Sequence, residues 1–390
     1  MNEKPMENPL KRDRADLCHN VFVTKSEITN DFLAKVLGRI NQDQKERPVE
    51  DLEVLQKIKA DLGGIIAGKI PNAAGKHFQI YENEYHFLSQ NDPSLWGDYL
   101  IFRYKFKIYP DIGKLTDFPT YLLVELVSYC NLRCTMCFQV DKTFTVKSNL
   151  GAMDLGLFKK VIDEAVGARC RTLTMASRGE PTLHPQLEEI LKYVKGKFFD
   201  IKINTNAMVL DEKKCHWILE NGVTELVFSV EGVEKEEYER VRVQGKFEQV
   251  LENIKRFHRI RNTQYPDSKC KTRVSGVKYS PSFDVPRFIN FWKDIVDNVA
   301  CVEMESRWDT YNNPLTHRTA PCRKLWEGLY VWYDGTVNPC DIDYKSHLAV
   351  GNVQNTSIRD IWNGERYNRL RADHSNAKRS CRVPCDRCEY

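Results

Sequence analysis

From Tyr121 onward the sequence alternates short β-branched and apolar runs with longer segments of helical periodicity, and this alternation constrains the fold more than any other feature. Strands are expected at 121–129, 172–177, 199–206, 225–230, 271–280 and 301–306. Helices fill most of the gaps, over Asp154 to Val166, Pro185 to Lys195, Glu212 to Asn221 and Phe247 to Ile260. Such alternation calls for parallel strands joined by right-handed crossovers, and six units make most of a barrel. The expected fold class is therefore α/β, a partial (βα)6 TIM-like barrel over 116–310. Its working face lies at the C-terminal ends of the strands, where loops vary without disturbing the core.

The flanks read differently. Residues 1–115 form an N-terminal α+β extension, helical around Ile28 to Ile70 and strand-like at Phe78 to Phe87 and Tyr99 to Tyr109. It suits a cap, a partner-docking module or an interface. A small C-terminal domain, 321–390, carries a hairpin signal at Tyr333-Asp334-Gly335-Thr336. With 390 residues, 42% hydrophobic and 29% charged, the chain has the composition of a soluble globular protein. A net charge of +4 demands no nucleic-acid surface, so nucleic acid is not an expected partner. The basic residues near the C-terminus, including Arg371, Arg379 and Arg387, read as a solvated face. The first eight residues lack the apolar core of a secretory signal, and no uncharged run approaches the ~20 residues that cross a bilayer. A cytoplasmic protein without membrane contact is expected.

Thirteen cysteines in such a chain point to metal or cluster binding rather than disulfides. Cys18, Cys170, Cys215, Cys270 and Cys301 stand alone and read as small buried hydrophobes. Cys130, Cys134 and Cys137 share one loop after the first strand, spaced C-x3-C-x2-C. Thiolates are the usual ligands of iron-sulfur clusters, and three ligands on a [4Fe-4S] cube leave one iron open. A zinc site wants a fourth ligand, and no histidine or cysteine follows within thirty residues. Later strand ends carry Ser177-Arg178-Gly179-Glu180-Pro181, Asn204-Thr205-Asn206-Ala207 and Phe228-Ser229-Val230-Glu231. Each taken alone also fits an ordinary turn.

Together, from about Leu122 to Arg307, these motifs resemble the radical S-adenosylmethionine (radical SAM) superfamily. Tyr129 or Phe138 matches the aromatic residue of its cysteine motif, and Arg178-Gly179-Glu180-Pro181 resembles its Gly-Gly-Glu-Pro motif with Arg178 replacing the first glycine. The resemblance implies a [4Fe-4S] cluster on Cys130, Cys134 and Cys137, with SAM chelating the open iron. Gly179 and Glu180, followed by Pro181, would meet the SAM amino group. Asn206, Ser229 and Arg242 would serve its ribose and carboxylate.

The run Cys322, twelve residues, Gly335, four residues, Cys340, then Cys385-x2-Cys388 resembles the SPASM/twitch extension of that superfamily in its one-cluster form. An auxiliary [4Fe-4S] cluster on Cys322, Cys340, Cys385 and Cys388 is implied, with Cys381 a fifth candidate. A zinc ribbon on the same residues stays open. By resemblance, an external donor such as flavodoxin or ferredoxin supplies an electron that cleaves SAM to a 5'-deoxyadenosyl radical. That radical takes a hydrogen atom from the substrate, and the auxiliary cluster accepts the second electron. The compact extension resembles that of aminocyclitol dehydrogenases, which implies a small carbohydrate-like substrate: a sugar, nucleotide sugar or aminocyclitol. Peptide maturation, with the extension docking a leader, is the rival, and a non-catalytic iron-sulfur or zinc regulator is a third reading. Glu303, Glu305 and Arg307 alternate along the sixth strand and are expected to face the barrel interior or mouth. Asp341 and Asp343, beside Cys340, are expected to take a proton or cap a turn.

Overall fold

The computed structural model describes residues 17–22, 27–43, 45–69, 77–304 and 309–390. Its contacts divide the chain into two units, Thr24–Thr116 and the combination of Met1–Val23 with Asp117–Tyr390. Glu305 and Arg307 lie outside the described residues.

The described part of the smaller unit is helical. α1 (Asn30–Asn41) and α2 (Val49–Ile66) occupy the stretch expected to be helical, and the two segments expected as strands contain α3 (Glu82–Gln90) and α4 (Trp96–Ile108) instead. Burial explains the difference. Trp96, Tyr99, Leu100, Ile101, Phe102, Tyr104 and Ile108 of α4 are all buried, so the helix has no exposed face and its aromatic content mimics a strand. The buried Glu84 carboxylate closes the first turn of α3 on the Tyr81 N–H and pairs with Arg103 at 2.6 Å and Lys107 at 2.8 Å, which binds α3 to α4.

In the larger unit the strand-helix alternation appears as expected. β1 (Leu17–Phe22) precedes it. Then come β2 (Tyr121–Val124), α5 (Leu155–Gly167), β3 (Thr172–Met175), α6 (Leu187–Val194), β4 (Asp200–Thr205), α7 (Glu212–Glu220) and β5 (Glu225–Ser229). α8 (Lys235–Val241), α9 (Phe247–Gln264), β6 (Lys271–Lys278), α10 (Val285–Trp292) and β7 (Asn298–Glu303) complete it. β2 to β7 pair in parallel in sequence order, giving the six-stranded core of a partial barrel. Aspartates start several crossover helices: Asp154, Asp211 and Asp284 each accept the N–H three residues on.

Beyond the crossovers lie α11 (Lys324–Glu327), β8 (Gly328–Val331), β9 (Thr336–Asn338), β10 (Gly351–Asn352), α12 (Ile358–Trp362) and α13 (Glu365–Ser375). β8 pairs in parallel with β2 and antiparallel with β9. Gly335, at φ +81°, makes the tight turn between β8 and β9. The C-terminal segment thus continues the barrel sheet, which reaches ten strands in the order β1-β7-β6-β5-β4-β3-β2-β8-β9-β10. No helix among the described residues is long and apolar enough to cross a membrane.

Strand alternation sorts the two faces of this sheet. Phe228 meets Phe257 of α9, and Gly276 lies against Phe288 of α10, so those positions face the helices. Lys202, Asn204, Glu225, Ser229, Arg273 and Ser275 occupy the opposite, inner face.

Candidate active site

The loop from Glu125 to Cys137 leaves the C-terminal end of β2 and is held from three sides. Ser128 donates to the Asn149 carbonyl at 2.8 Å and accepts from the Gly151 N–H at 2.9 Å. The Arg133 and Thr135 N–H groups donate to the carbonyls of Val243 and Val241, after α8. Gly179 closes the third side. A Cβ there would lie 2.2 Å from the Val127 carbonyl oxygen and 2.5 Å from that of Tyr129, so only glycine lets the loop after β3 dock on the cysteine loop. The adjoining Glu180 N–H donates to the Tyr129 carbonyl at 3.0 Å.

Of the three thiols of this loop, Cys134 is buried and Cys130 and Cys137 are half-buried. Several donors aim at sulfur. Cys130 Sγ receives the Leu132 N–H at 3.4 Å and the Asn206 amide at 3.7 Å, and Arg242 Nη1 lies 3.5 Å from Cys134 Sγ. Burial, with Glu180 and the neighbouring thiols, pushes Cys130 up to about 12. Burial also raises Cys134, while the Arg242 charge favours its thiolate. Iron bound at these thiols would compensate the cost of ionising them, and N–H groups directed at sulfur suit a cluster. Among the described residues no three His, Cys, Asp or Glu side chains converge as a single ion requires.

The structure brings Glu180, Asn206 and Ser229 to neighbouring strand ends, while Arg242 and Phe138 are engaged elsewhere. Glu180 Oε1 accepts from the Thr182 N–H, Thr182 hydroxyl and Thr205 hydroxyl, and Oε2 accepts from the Asn206 N–H at 2.7 Å. Its carboxylate therefore ties β3 to β4, and Oε2 keeps one lone pair for a further donor. Pro181 opens the short turn after it. Asn206 is buried, bridging the Asn131 side chain and Cys130. Ser229 ends β5 half-buried on the inner face. Arg242, expected on the SAM carboxylate, is held by a bidentate pair with fully buried Glu231, so its remaining nitrogen reaches sulfur. Phe138 stacks on Tyr344 at 4.7 Å between ring centroids, edge-on to Phe144, and is packed away as core.

Arg178, the residue that departs from the motif, turns back into the protein. It makes a bidentate pair with fully buried Glu125 at 2.7 and 2.6 Å, donates to the Tyr344 carbonyl at 3.0 Å and lies over Trp332.

In the C-terminal segment Cys322, Cys340, Cys385 and Cys388 line one cavity together with Lys324, His374, Arg379 and Tyr390. Cys381 is exposed and does not line it. Burial and mutual repulsion raise Cys340, Cys385 and Cys388, while Arg379 or Lys324 opposes the rise. Arg379, expected on a solvated face, is 3% exposed and spends its guanidinium on the carbonyls of Cys385, Cys388, Ala320 and Tyr390. Arg371 is likewise buried, donating to Leu325 and Trp362 carbonyls. The cavity abuts the barrel, because Cys340 packs against Leu123, Tyr330 and Trp332. Four thiols around one cavity fit a closed cluster site.

The radical SAM superfamily pattern matches residues 124–276, and that of an iron-sulfur cluster-binding domain, SPASM, matches residues 322–389. The chain carries a radical SAM domain followed by a SPASM domain. [4Fe-4S] clusters and SAM are accordingly its cofactors. Among relatives, the tungsten-containing aldehyde ferredoxin oxidoreductase cofactor-modifying protein of Pyrococcus furiosus is 25% identical over 294 residues, 63% of this chain and 82% of that protein. The subtilosin biosynthesis protein AlbA of Bacillus subtilis is 23% identical, over 65% of this chain and 61% of its own length. The chain thus spans about three fifths of that relative. Streptococcus suis SuiB bound to its precursor peptide SuiA shares the fold at a TM-score of 0.53 and 14% identity, covering 87% of this chain and 83% of its own.

Within this radical SAM–SPASM unit two expected substrate contacts move. Glu303 shares its face with Cys301, toward the helices, and pairs with Lys278 at 2.7 Å on the surface, because the register with β6 sets Cys301 beside Gly276 and Glu303 beside Lys278. Asp343 is buried, and its carboxylate accepts from the Tyr311 hydroxyl, the His347 and Leu348 N–H groups and the Asn338 amide. It shapes its loop. Asp341 pairs with Lys324 at 2.7 Å beside the cysteine cavity. Glu125 and His374 were not singled out from sequence, since their partners Arg178 and Cys322 lie 53 and 52 positions away.

Proposed function

We propose that this radical SAM–SPASM enzyme oxidises or rearranges a small polyhydroxylated molecule, a sugar, nucleotide sugar or aminocyclitol, bound on the inner face of the barrel. Cys130, Cys134 and Cys137 hold the first cluster, and Cys322, Cys340, Cys385 and Cys388 the auxiliary one. Bound there, the groups supply a carbon radical derived from SAM at the first site and an electron acceptor at the second. The chain does the rest. Glu180 Oε2, the Asn206 side and Ser229 orient SAM, and Arg242 with Glu231 supports the Cys134 thiolate. Asp341, already sharing a proton-rich neighbour in Lys324, accepts the substrate proton. An external donor such as flavodoxin or ferredoxin supplies the first electron, in a reducing cytoplasm that keeps thiols available as cluster ligands.

The observation that carries the substrate reading is the polar inner face. Lys202 and Arg273 flank Glu225 at 3.6 and 3.3 Å, and buried Asn204 Oδ1 and Arg273 Nε have no hydrogen-bond partner among the described residues. Unused donors and acceptors on one face suit a ligand dense in hydroxyls. The similarity to AlbA and SuiB favours a second reading, peptide maturation. Incubating the anaerobically reconstituted enzyme with SAM, reductant and panels of sugars and peptides separates the two. Substrate-dependent 5'-deoxyadenosine with sugars supports the first; a response to peptides alone rejects it.

A further inference from the structure

His374 sits near the end of α13, 1% exposed, and its ring lines the cavity of the four C-terminal thiols. Nδ1 accepts the Cys322 backbone N–H at 3.2 Å. An accepting Nδ1 carries no proton, so in the neutral ring the hydrogen resides on Nε2. That Nε2–H is buried and has no partner among the described residues. The other polar groups of the cavity wall are engaged: Lys324 with Asp341, and Arg379 with four carbonyls. A buried donor without an acceptor is destabilising, and a native fold retains one where something else accepts. The four cysteines line the same cavity as His374.

We propose that His374 donates its Nε2–H to a sulfur of the auxiliary cluster and sets that cluster's reduction potential; this rests on the reading that Cys322, Cys340, Cys385 and Cys388 hold it. A donor to sulfur stabilises the added negative charge of the reduced state, so it raises the potential. It thereby makes the cluster a better acceptor for a substrate electron. The same ring also fixes the Cys322 backbone, so one histidine positions a ligand and tunes the centre.

The test uses the anaerobically reconstituted full chain, with His374→Leu to delete the donor and His374→Gln to retain an N–H. Iron analysis comes first. About eight iron per chain confirms two clusters, and about four in the wild type overturns the auxiliary-cluster reading and this proposal together. Potentiometric titration followed by electron paramagnetic resonance then reads the auxiliary signal. Expected is at least a tenfold fall in the reduced-to-oxidised ratio at fixed potential for His374→Leu, about 59 mV for one electron, with His374→Gln restoring most of it. An unchanged potential in a His374→Leu protein that keeps about eight iron refutes the role of His374 and leaves the cluster assignment standing. Should both variants lose iron, electron-nuclear double resonance of the wild-type auxiliary signal in H2O and D2O decides. A strongly coupled exchangeable proton supports the donor, and its absence overturns it.

Discussion

Replacing Arg178 by glycine would restore the glycine that the radical SAM motif carries at this position, yet the structure requires the change to be damaging. Glu125 is fully buried, and Arg178 supplies both nitrogens of its bidentate partner, leaving only the Tyr333 N–H at 3.1 Å once the arginine is gone. Breaking a buried pair from one side strands the remaining charge and costs about 3–5 kcal/mol. The Tyr344 carbonyl bond and the guanidinium contact with Trp332, 4.3 Å from the ring centroid, disappear with it. Because these act as a unit they do not add, and about 4 kcal/mol is the expected total. That corresponds to a Tm lower by roughly 5–15 °C. Urea unfolding followed by circular dichroism and tryptophan fluorescence measures it. Arg178→Lys, which keeps the charge and loses the fork, should fall between. The double variant Glu125→Leu/Arg178→Met should be more stable than Arg178→Gly alone, since no charge is left unpaired. If Arg178→Gly stays within about 1 kcal/mol of wild type, or the two sites prove additive, the buried pair does not join these loops as argued.

Gly179→Ala forces a methyl against the Val127 and Tyr129 carbonyls, so the first site should lose its geometry: iron after reconstitution falls by about four atoms while the C-terminal signal persists. Cys381→Ser should keep full iron, whereas Cys385→Ser should lose about four, because only the latter thiol lines the cavity. His258 tests the sheet's outer face. Burial, then the Arg261 charge, lowers its pKa to about 4, so the folded state binds fewer protons than the unfolded one between about pH 4 and 6.5. Its contribution, at most about 3 kcal/mol, is present above pH 6.5 and lost as pH falls toward 4. Urea midpoints of the apoprotein across that range should show a shallower slope in His258→Gln.

The parallel core was legible because each strand of the crossover region is short, apolar on its helix side and followed by a helix long enough to return. The β8 pairing was not, since Gly328–Val331 is only four residues and its partner β2 lies some two hundred positions earlier. In the site, the C-x3-C-x2-C loop is a local spacing, whereas Cys322, Cys340 and the pair Cys385 and Cys388, which line one cavity, are far apart in sequence and were grouped only through a family resemblance. Arg178 could be recognised only as a departure, because Glu125 is 53 positions away and Tyr344 is 166. Arg379 and Arg371 looked like surface charge for the same reason: their partners are backbone carbonyls, which no residue type advertises. His374 meets Cys322 across 52 positions. Candidate ligands are therefore visible in the sequence, while the groups packed around them are visible only in the fold.

Tyr344 shows how the two cysteine sites are held at one spacing. It follows Cys340 by four residues. Its ring stacks on Phe138, the neighbour of Cys137, its hydroxyl donates to Asp141 at 2.7 Å, and its carbonyl accepts from Arg178. Lys345 adds an ion pair to the same Asp141 at 2.7 Å. Three different kinds of contact thus converge on one residue from the first-site loops, and no single one has to be strong to fix the separation. Tyr344→Phe removes only the hydroxyl and should cost about 1 kcal/mol. Tyr344→Ala also removes the stack and opens a cavity, at about 3–5 kcal/mol. The sharper readout is distance. With both centres paramagnetic, pulsed electron paramagnetic resonance should give one narrow separation in wild type and Tyr344→Phe, and a broadened one in Tyr344→Ala with iron content unchanged. A distribution equally narrow in Tyr344→Ala would show that the continuous sheet through β2 and β8 alone sets the spacing, and that the aromatic stack is only packing.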